Sequence, residues 1–202
     1  MQLYFVTGNK GKFEEVKNLM EKLTDWKIEL LQISLDIPEL DSQDLIAISQ
    51  DKAKKAFKKL KKPLIVDDSG IYFDEYNDFP GPLAKRVFKG LWFKWLERLL
   101  KDADNKNWKF VTVVSYIDED ISEPISFVWQ LDWVYDFSLI KIASEEQLQK
   151  YASLPYKYIF KPEGFDKFYS QLTPEESQQV SQRAKAIKKF VEWWNNNNRF
   201  KW

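Results

Sequence analysis

Apolar positions along this chain follow two rhythms, and each predicts an element. Leu3 to Val6 is a short continuous apolar run, and after the polar Thr7-Gly8-Asn9 the residues Phe13, Val16, Met20 and Leu23 recur at helical spacing. The pattern predicts strand, tight turn and helix. A second apolar run, Ile28 to Leu35, ends before Pro38, and Ile46, Ala53, Phe57 and Leu60 then mark one face of a second helix. Lys52, Lys54, Lys55, Lys58 and Lys59 form its basic face, and Pro63 stops it. Leu64-Ile65-Val66 is expected as a buried strand that delivers Asp67, Asp68, Ser69 and Gly70 at its end.

Pro80-Gly81-Pro82 is expected to open a third helix, with Val87, Leu91, Trp95 and Leu99 on one face. Phe110 to Ile117 and Ile125 to Tyr135 are β-branched and aromatic, which predicts two long strands joined by an acidic turn over Asp118 to Glu123. Thr173-Pro174-Glu175-Glu176 is a capping box with proline at the first helical position. Val180, Ala184, Ile187, Val191 and Trp194 follow as the buried stripe of one last helix. With no repeat and no linker, residues 1–194 are expected to form a single α/β domain. The expected architecture is a central mixed sheet flanked by helices and bilobed around a cleft, with 195–202 as a polar, frayed tail.

Composition narrows the chemistry. Among 202 residues there is no cysteine and no histidine, so disulfides, thiolate nucleophiles, imidazole bases and the usual zinc ligands are excluded together. Carboxylates, lysines, hydroxyls or a hard metal must do the work. Lys plus Arg and Asp plus Glu each number 31, so no overall field recruits a polyanion, and nucleic acid is not indicated. No stretch approaches the roughly 20 apolar residues that span a bilayer, and a cytoplasmic setting is expected.

Two segments carry candidate chemistry. A strand-to-helix turn with Gly8 and Gly11 aims backbone N–H groups and a positive helix end at one place, and Lys10 and Lys12 add charge there. That suits a phosphate, although a plain connector has the same local look. Asp67-Asp68 after an apolar strand suits Mg²⁺ bound through oxygen and water, because open α/β sheets place ligands beyond the carboxyl ends of strands. The alternative is an aspartate that only caps a turn. Glu39 alone reads as a loop acid, and the lysine row of the second helix as a solvated face from which one or two members reach a ligand.

Taken in order, these segments resemble the signature blocks of the inosine-triphosphate pyrophosphatase family. They are Phe5-Val-Thr-Gly-Asn-Lys-Gly-Lys-Phe-Glu-Glu-Val16, Leu35-Asp-Ile-Pro-Glu39, Ile65-Val-Asp-Asp-Ser-Gly70, Phe79-Pro-Gly-Pro82, Phe160-Lys-Pro-Glu-Gly164 and Ser181-Gln-Arg183. The resemblance runs from about residue 3 to about residue 191. It implies the fold of that family, commonly as a homodimer. The activity it implies is Mg²⁺-dependent cleavage of non-canonical purine nucleoside triphosphates to monophosphate and pyrophosphate. It also implies roles by position. Thr7, Gly8, Asn9, Lys10 and Lys12 match the phosphate loop, with Ser69 and Lys85 also on the substrate. Lys52 faces the same cleft. Glu39, Asp67 and Asp68 lie on the metal side, and Asp68 is the leading candidate to activate water.

The base-reading segments depart from the family. Its Phe-Gly-Trp-Asp-Pro stretch reads Leu154-Pro-Tyr-Lys-Tyr158 here, so Lys157 replaces an acceptor with a donor, and Tyr156 or Tyr158 is left to supply a stacking ring. Its Ser-His-Arg reads Ser181-Gln182-Arg183, and a family lysine falls on Ser177. The preferred base is therefore open. Two other readings compete: a nucleotide-binding relative that no longer hydrolyses, and an interaction protein that docks partners through exposed Trp92, Trp129 and Trp133.

Overall fold

The computed structural model describes residues 2–23, 28–152 and 155–197. Leu154 and tail residues 198–202 lie outside the described residues. The chain has an α/β fold built on a seven-stranded mixed sheet. Its elements are β1 (Gln2–Val6), α1 (Lys10–Leu23), β2 (Glu29–Ile33), α2 (Leu45–Leu60), β3 (Leu64–Phe73), β4 (Pro80–Gly81), α3 (Ala84–Leu100), β5 (Asn107–Ile117), β6 (Ile125–Tyr135), α4 (Ser138–Lys141), α5 (Glu145–Tyr151), β7 (Phe160–Pro162), α6 (Pro174–Gln179) and α7 (Gln182–Asn196). The strand order is β2-β1-β3-β5-β6-β7, with β4 paired to β3. β1 runs parallel to β2 and β3, while β3–β4 and β6–β7 are antiparallel. No helix among the described residues is long and apolar enough to cross a membrane.

The chain forms two compact units, Met1–Ser69 with Thr112–Trp129 and Gln182–Trp202, and Gly70–Val111 with Gln130–Ser181. In the first unit the strand alternation of β1 and β3 feeds two separate cores. Leu3, Phe5 and Ile65 pack with Val16 and Met20 of α1 and with Ile187, Phe190 and Trp194 of α7. Val6, Leu64 and Val66 point the other way, onto Ala53 and Ala56 of α2. Each fully buried side chain of this size contributes about 1.5–3 kcal/mol. α2 starts at Asp44, whose carboxylate accepts from the N–H groups of Ile46 and Ala47, and ends at Lys61 in the left-handed region.

The second unit closes over an aromatic core in which Trp108 stacks on Phe160 and meets Trp133 edge-on. Here the expected third helix is corrected. Its buried side chains are Ala84, Phe88, Phe93, Leu96 and Leu100, whereas Trp95 is exposed and Val87, Leu91 and Leu99 only half-buried. Trp92 takes φ 58° and ψ 178° inside the helix and shifts the register of the buried face. Pro80-Gly81 forms β4 on β3 instead of opening the helix, with Gly81 at φ 58°. The expected single last helix is two, α6 and α7, broken at Val180-Ser181. The capping box at Thr173 and Glu176 is formed as expected.

Candidate functional site

β3 continues through Asp67, Asp68, Ser69 and Gly70 to Phe73, so these residues sit within a strand and not in a turn at its end. That rules out the turn-cap alternative and has a direct geometric effect. Successive side chains of a strand face opposite sides of the sheet. Asp67 follows Ile65 to the face of α1 and α7; Asp68 follows Val66 to the face of α2.

On the first face Asp67 is 3% exposed and fully paired. Lys12 Nζ lies 3.0 Å from its Oδ1 and Arg183 Nε 2.8 Å from its Oδ2. Burial opposes ionisation of Asp67, but the charges and hydrogen bonds of Lys12 and Arg183 outweigh it and hold the carboxyl well below the usual range. Arg183 also donates through Nη1 to Glu15 Oε2 at 2.5 Å. The guanidinium of the base-reading segment Ser181-Gln182-Arg183 is thus braced between two carboxylates, and its burial is more than offset by them.

On the second face Lys52 Nζ lies 2.7 Å from Asp68 Oδ1. The other oxygen, Oδ2, is buried and without a hydrogen-bond partner among the described residues. Burial raises the Asp68 carboxyl, Lys52 opposes this, and the neighbouring negative charge of Asp67 adds to it; the net direction is upward. Lys52 is raised too, because against its own burial it has Asp68, Asp67 and Glu39. Burial thus sets the direction for Asp68, and the surrounding carboxylates set it for Lys52.

Glu39 is exposed in the loop between β2 and α2. The basic face of α2 fastens that loop: Lys55 Nζ donates to the Pro38 carbonyl at 3.0 Å and Lys59 Nζ to the Asp36 carbonyl at 2.6 Å. Among the described residues no three acidic side chains converge as a metal cage, and Glu39, Asp67 and Asp68 do not assemble as one, since the strand sends the two aspartates to different faces.

The turn after β1 forms as expected. The Asn9 N–H donates to Thr7 Oγ1 at 3.2 Å, and Asn9 Oδ1 caps α1 by accepting from the Lys12 N–H at 3.1 Å. Helix starts usually attract acidic residues; the first turn of α1 has none and carries Lys10 and Lys12. Its Lys10 and Gly11 N–H groups have no acceptor among the described residues. Gly8 and Lys10 are exposed, Thr7 half-buried and Gln182 buried.

Lys85, Tyr156 and Lys157 belong to the second unit. Lys85 is exposed in the first turn of α3. The Tyr156 hydroxyl donates to the Ala84 carbonyl at 2.9 Å, its ring stacks on Phe160 with planes 6° apart, and burial pushes its phenol up. Tyr158 stacks on Tyr151. Lys157 is exposed on a short 3₁₀ turn with its ammonium over the Tyr169 ring. Of the three tryptophans expected at a docking surface, Trp133 is buried and Trp92 and Trp129 are half-buried, the last under Lys185 and Lys189. Glu15 and Thr112 were not anticipated, nor was the fastening of the Glu39 loop by Lys55 and Lys59 of the expected basic face. Glu15 left a local signal, three residues from Lys12 on one helix face, and Thr112 left none.

A family model for the Ham1 family matches residues 3–193. The chain is a member of the Ham1 family. Two relatives named dITP/XTP pyrophosphatase are each 33% identical to it. That of Methanopyrus kandleri aligns over 98% of both chains, and that of Methanosarcina mazei over 96% of this chain and 97% of its own. Two solved Ham1 structures share the fold. The Staphylococcus aureus Ham1 protein has a TM-score of 0.76 at 20% identity, covering 98% of this chain and 100% of its own. The Coxiella burnetii HAM1 protein has a TM-score of 0.78 at 18% identity, covering 97% and 99%. Within this Ham1 chain, the Lys12–Asp67–Arg183–Glu15 network and the Lys52–Asp68 pair both lie in the first unit.

Proposed function

We propose that this chain hydrolyses non-canonical nucleoside triphosphates between the α and β phosphates, releasing a monophosphate and pyrophosphate and so cleansing the nucleotide pool. The observation that carries the reading is Asp68: a half-buried carboxylate with one oxygen on Lys52, the other buried and unpartnered among the described residues, and Lys12 within electrostatic reach. The dITP/XTP pyrophosphatases aligned over almost the whole chain support it.

The residues fit Mg²⁺, which is commonly held by one or two carboxylates together with phosphate oxygens and water instead of an all-protein cage. Asp68, through its unpartnered oxygen, and Glu39 would hold the ion. When bound, it supplies charge neutralisation and polarisation of the phosphates. The chain does the rest. The Thr7-Gly8-Asn9 turn and the free N–H groups of α1 bind phosphate oxygens, and Lys10 and Lys12 add charge. Lys12 and Lys52 stabilise the pyrophosphate as it departs. Asp68 orients the attacking water and takes its proton. Asp67 keeps Lys12 in place and is not needed as a ligand.

A cytoplasmic setting and a homodimer belong to the same reading, and light scattering checks the dimer. The function is tested by screening canonical and modified triphosphates with Mg²⁺ and measuring pyrophosphate. Release from inosine or xanthosine triphosphate that stops in excess chelator is expected; full activity in chelator contradicts the metal assignment.

A further inference from the structure

Thr112 is fully buried on β5, a strand flanked by β3 and β6, so its backbone groups belong to the sheet. Its hydroxyl has one hydrogen-bond partner among the described residues, the Ser69 hydroxyl at 2.9 Å. Each hydroxyl carries a single proton, and only one of the two can lie between them. If Ser69 donated, the Thr112 proton would have no acceptor inside a buried strand, which is the costlier arrangement. Thr112 therefore donates and Ser69 accepts.

The Ser69 proton must then turn away from Thr112. Ser69 is half-buried and shares the strand face of Asp67, two residues before it. No hydrogen bond runs from Ser69 to Asp67, whose oxygens receive Lys12 and Arg183. Asp68 belongs to the opposite face. Ser69 has no other partner among the described residues, and its proton is left for an incoming acceptor.

We infer that Thr112 is a positioning residue that turns Ser69 into a directed donor for an anionic oxygen of the triphosphate. The inference rests on the proposed hydrolysis. Being an acceptor of one hydrogen bond also strengthens Ser69 as a donor of the next.

The test compares kcat/KM for inosine triphosphate in wild type, Ser69→Ala, Thr112→Val, Thr112→Ser and the Ser69→Ala/Thr112→Val double variant. Thr112→Val is isosteric and should lose roughly tenfold, the scale of one hydrogen bond to a charged group. Thr112→Ser, which keeps the donor, should stay within about twofold. If Thr112 acts through Ser69, the double variant is no worse than Ser69→Ala alone. Wild-type kcat/KM in Thr112→Val, or losses that multiply in the double variant, overturns the inference. Should the wild type release no pyrophosphate, the reading of function has failed. Affinity for a non-hydrolysable inosine triphosphate analogue then decides: equal weakening in Ser69→Ala and Thr112→Val supports the positioning role, and unchanged affinity in Thr112→Val overturns it.

Discussion

Asp67 and Asp68 are consecutive on β3 but are neutralised from different helices, Asp67 by Lys12 of α1 at 3.0 Å and Asp68 by Lys52 of α2 at 2.7 Å. Asp67 has a cation on each oxygen, whereas Asp68 keeps one oxygen unpartnered among the described residues. The first is built to hold structure together and the second to receive something.

The two aspartates are therefore expected to fail in different ways when each is changed to asparagine. Asp68→Asn should lower kcat by about two orders of magnitude or more, the scale for a lost general base, with a small change in melting temperature. Asp67→Asn should lower stability by about 3 kcal/mol, because it takes the carboxylate from half-buried Lys12 and leaves half-buried Arg183 with Glu15 alone. Steady-state kinetics and denaturant melts on both variants check this.

The pH dependence has a definite sign. The Asp67 carboxyl is depressed in the folded protein, so its contribution to stability is fully present above the unfolded value near 3.8 and is lost as pH falls through the folded one. In chelator, the stability gap between wild type and Asp67→Asn should be widest near neutrality and should narrow progressively below about pH 4. Urea melts from pH 7 to pH 3 measure it, and a gap that widens in acid contradicts the assignment.

These pairings explain what was legible in the sequence. Capping chemistry is local, so Thr173, Pro174 and Glu176 announced α6 correctly, and the β-branched run Ile125–Tyr135 matched β6. The α3 face was misread because nothing local shows that Trp92 leaves helical geometry. The turn, the acids and the lysines of the site were all visible, but their sorting onto two faces depends on β3 extending beyond Ser69. Polar residues after an apolar run hide that extension. Arg183 and Glu15, 168 residues apart, and Ser69 and Thr112, 43 apart, meet only through tertiary packing.

The loop carrying Glu39 offers a prediction about the metal. Lys55 and Lys59 hold it through the Pro38 and Asp36 carbonyls. Replacing both lysines with methionine should raise the Mg²⁺ concentration for half-maximal activity several-fold, with kcat at saturating Mg²⁺ almost unchanged. These bonds are exposed, so stability should change by less than about 0.5 kcal/mol. An unchanged Mg²⁺ titration means that the fastening does not matter to the ion.

Tyr156 and Lys157 are adjacent and differ in role. Tyr156→Phe removes a hydrogen bond to Ala84 in a packed setting and should cost about 1 kcal/mol of stability without altering the order of preferred substrates. Lys157→Asp reverses an exposed charge and should change that order among inosine, xanthosine, guanosine and pyrimidine triphosphates. The check is kcat/KM for each substrate in both variants. The same ranking in Lys157→Asp as in wild type removes Lys157 from base selection.

The most direct test follows the products of inosine and xanthosine triphosphate by phosphorus NMR with wild type and Asp68→Asn. The expected spectrum shows monophosphate and pyrophosphate appearing together in wild type, and neither at a comparable rate in a folded Asp68→Asn. Diphosphate with orthophosphate, or wild-type turnover in Asp68→Asn, would contradict the account.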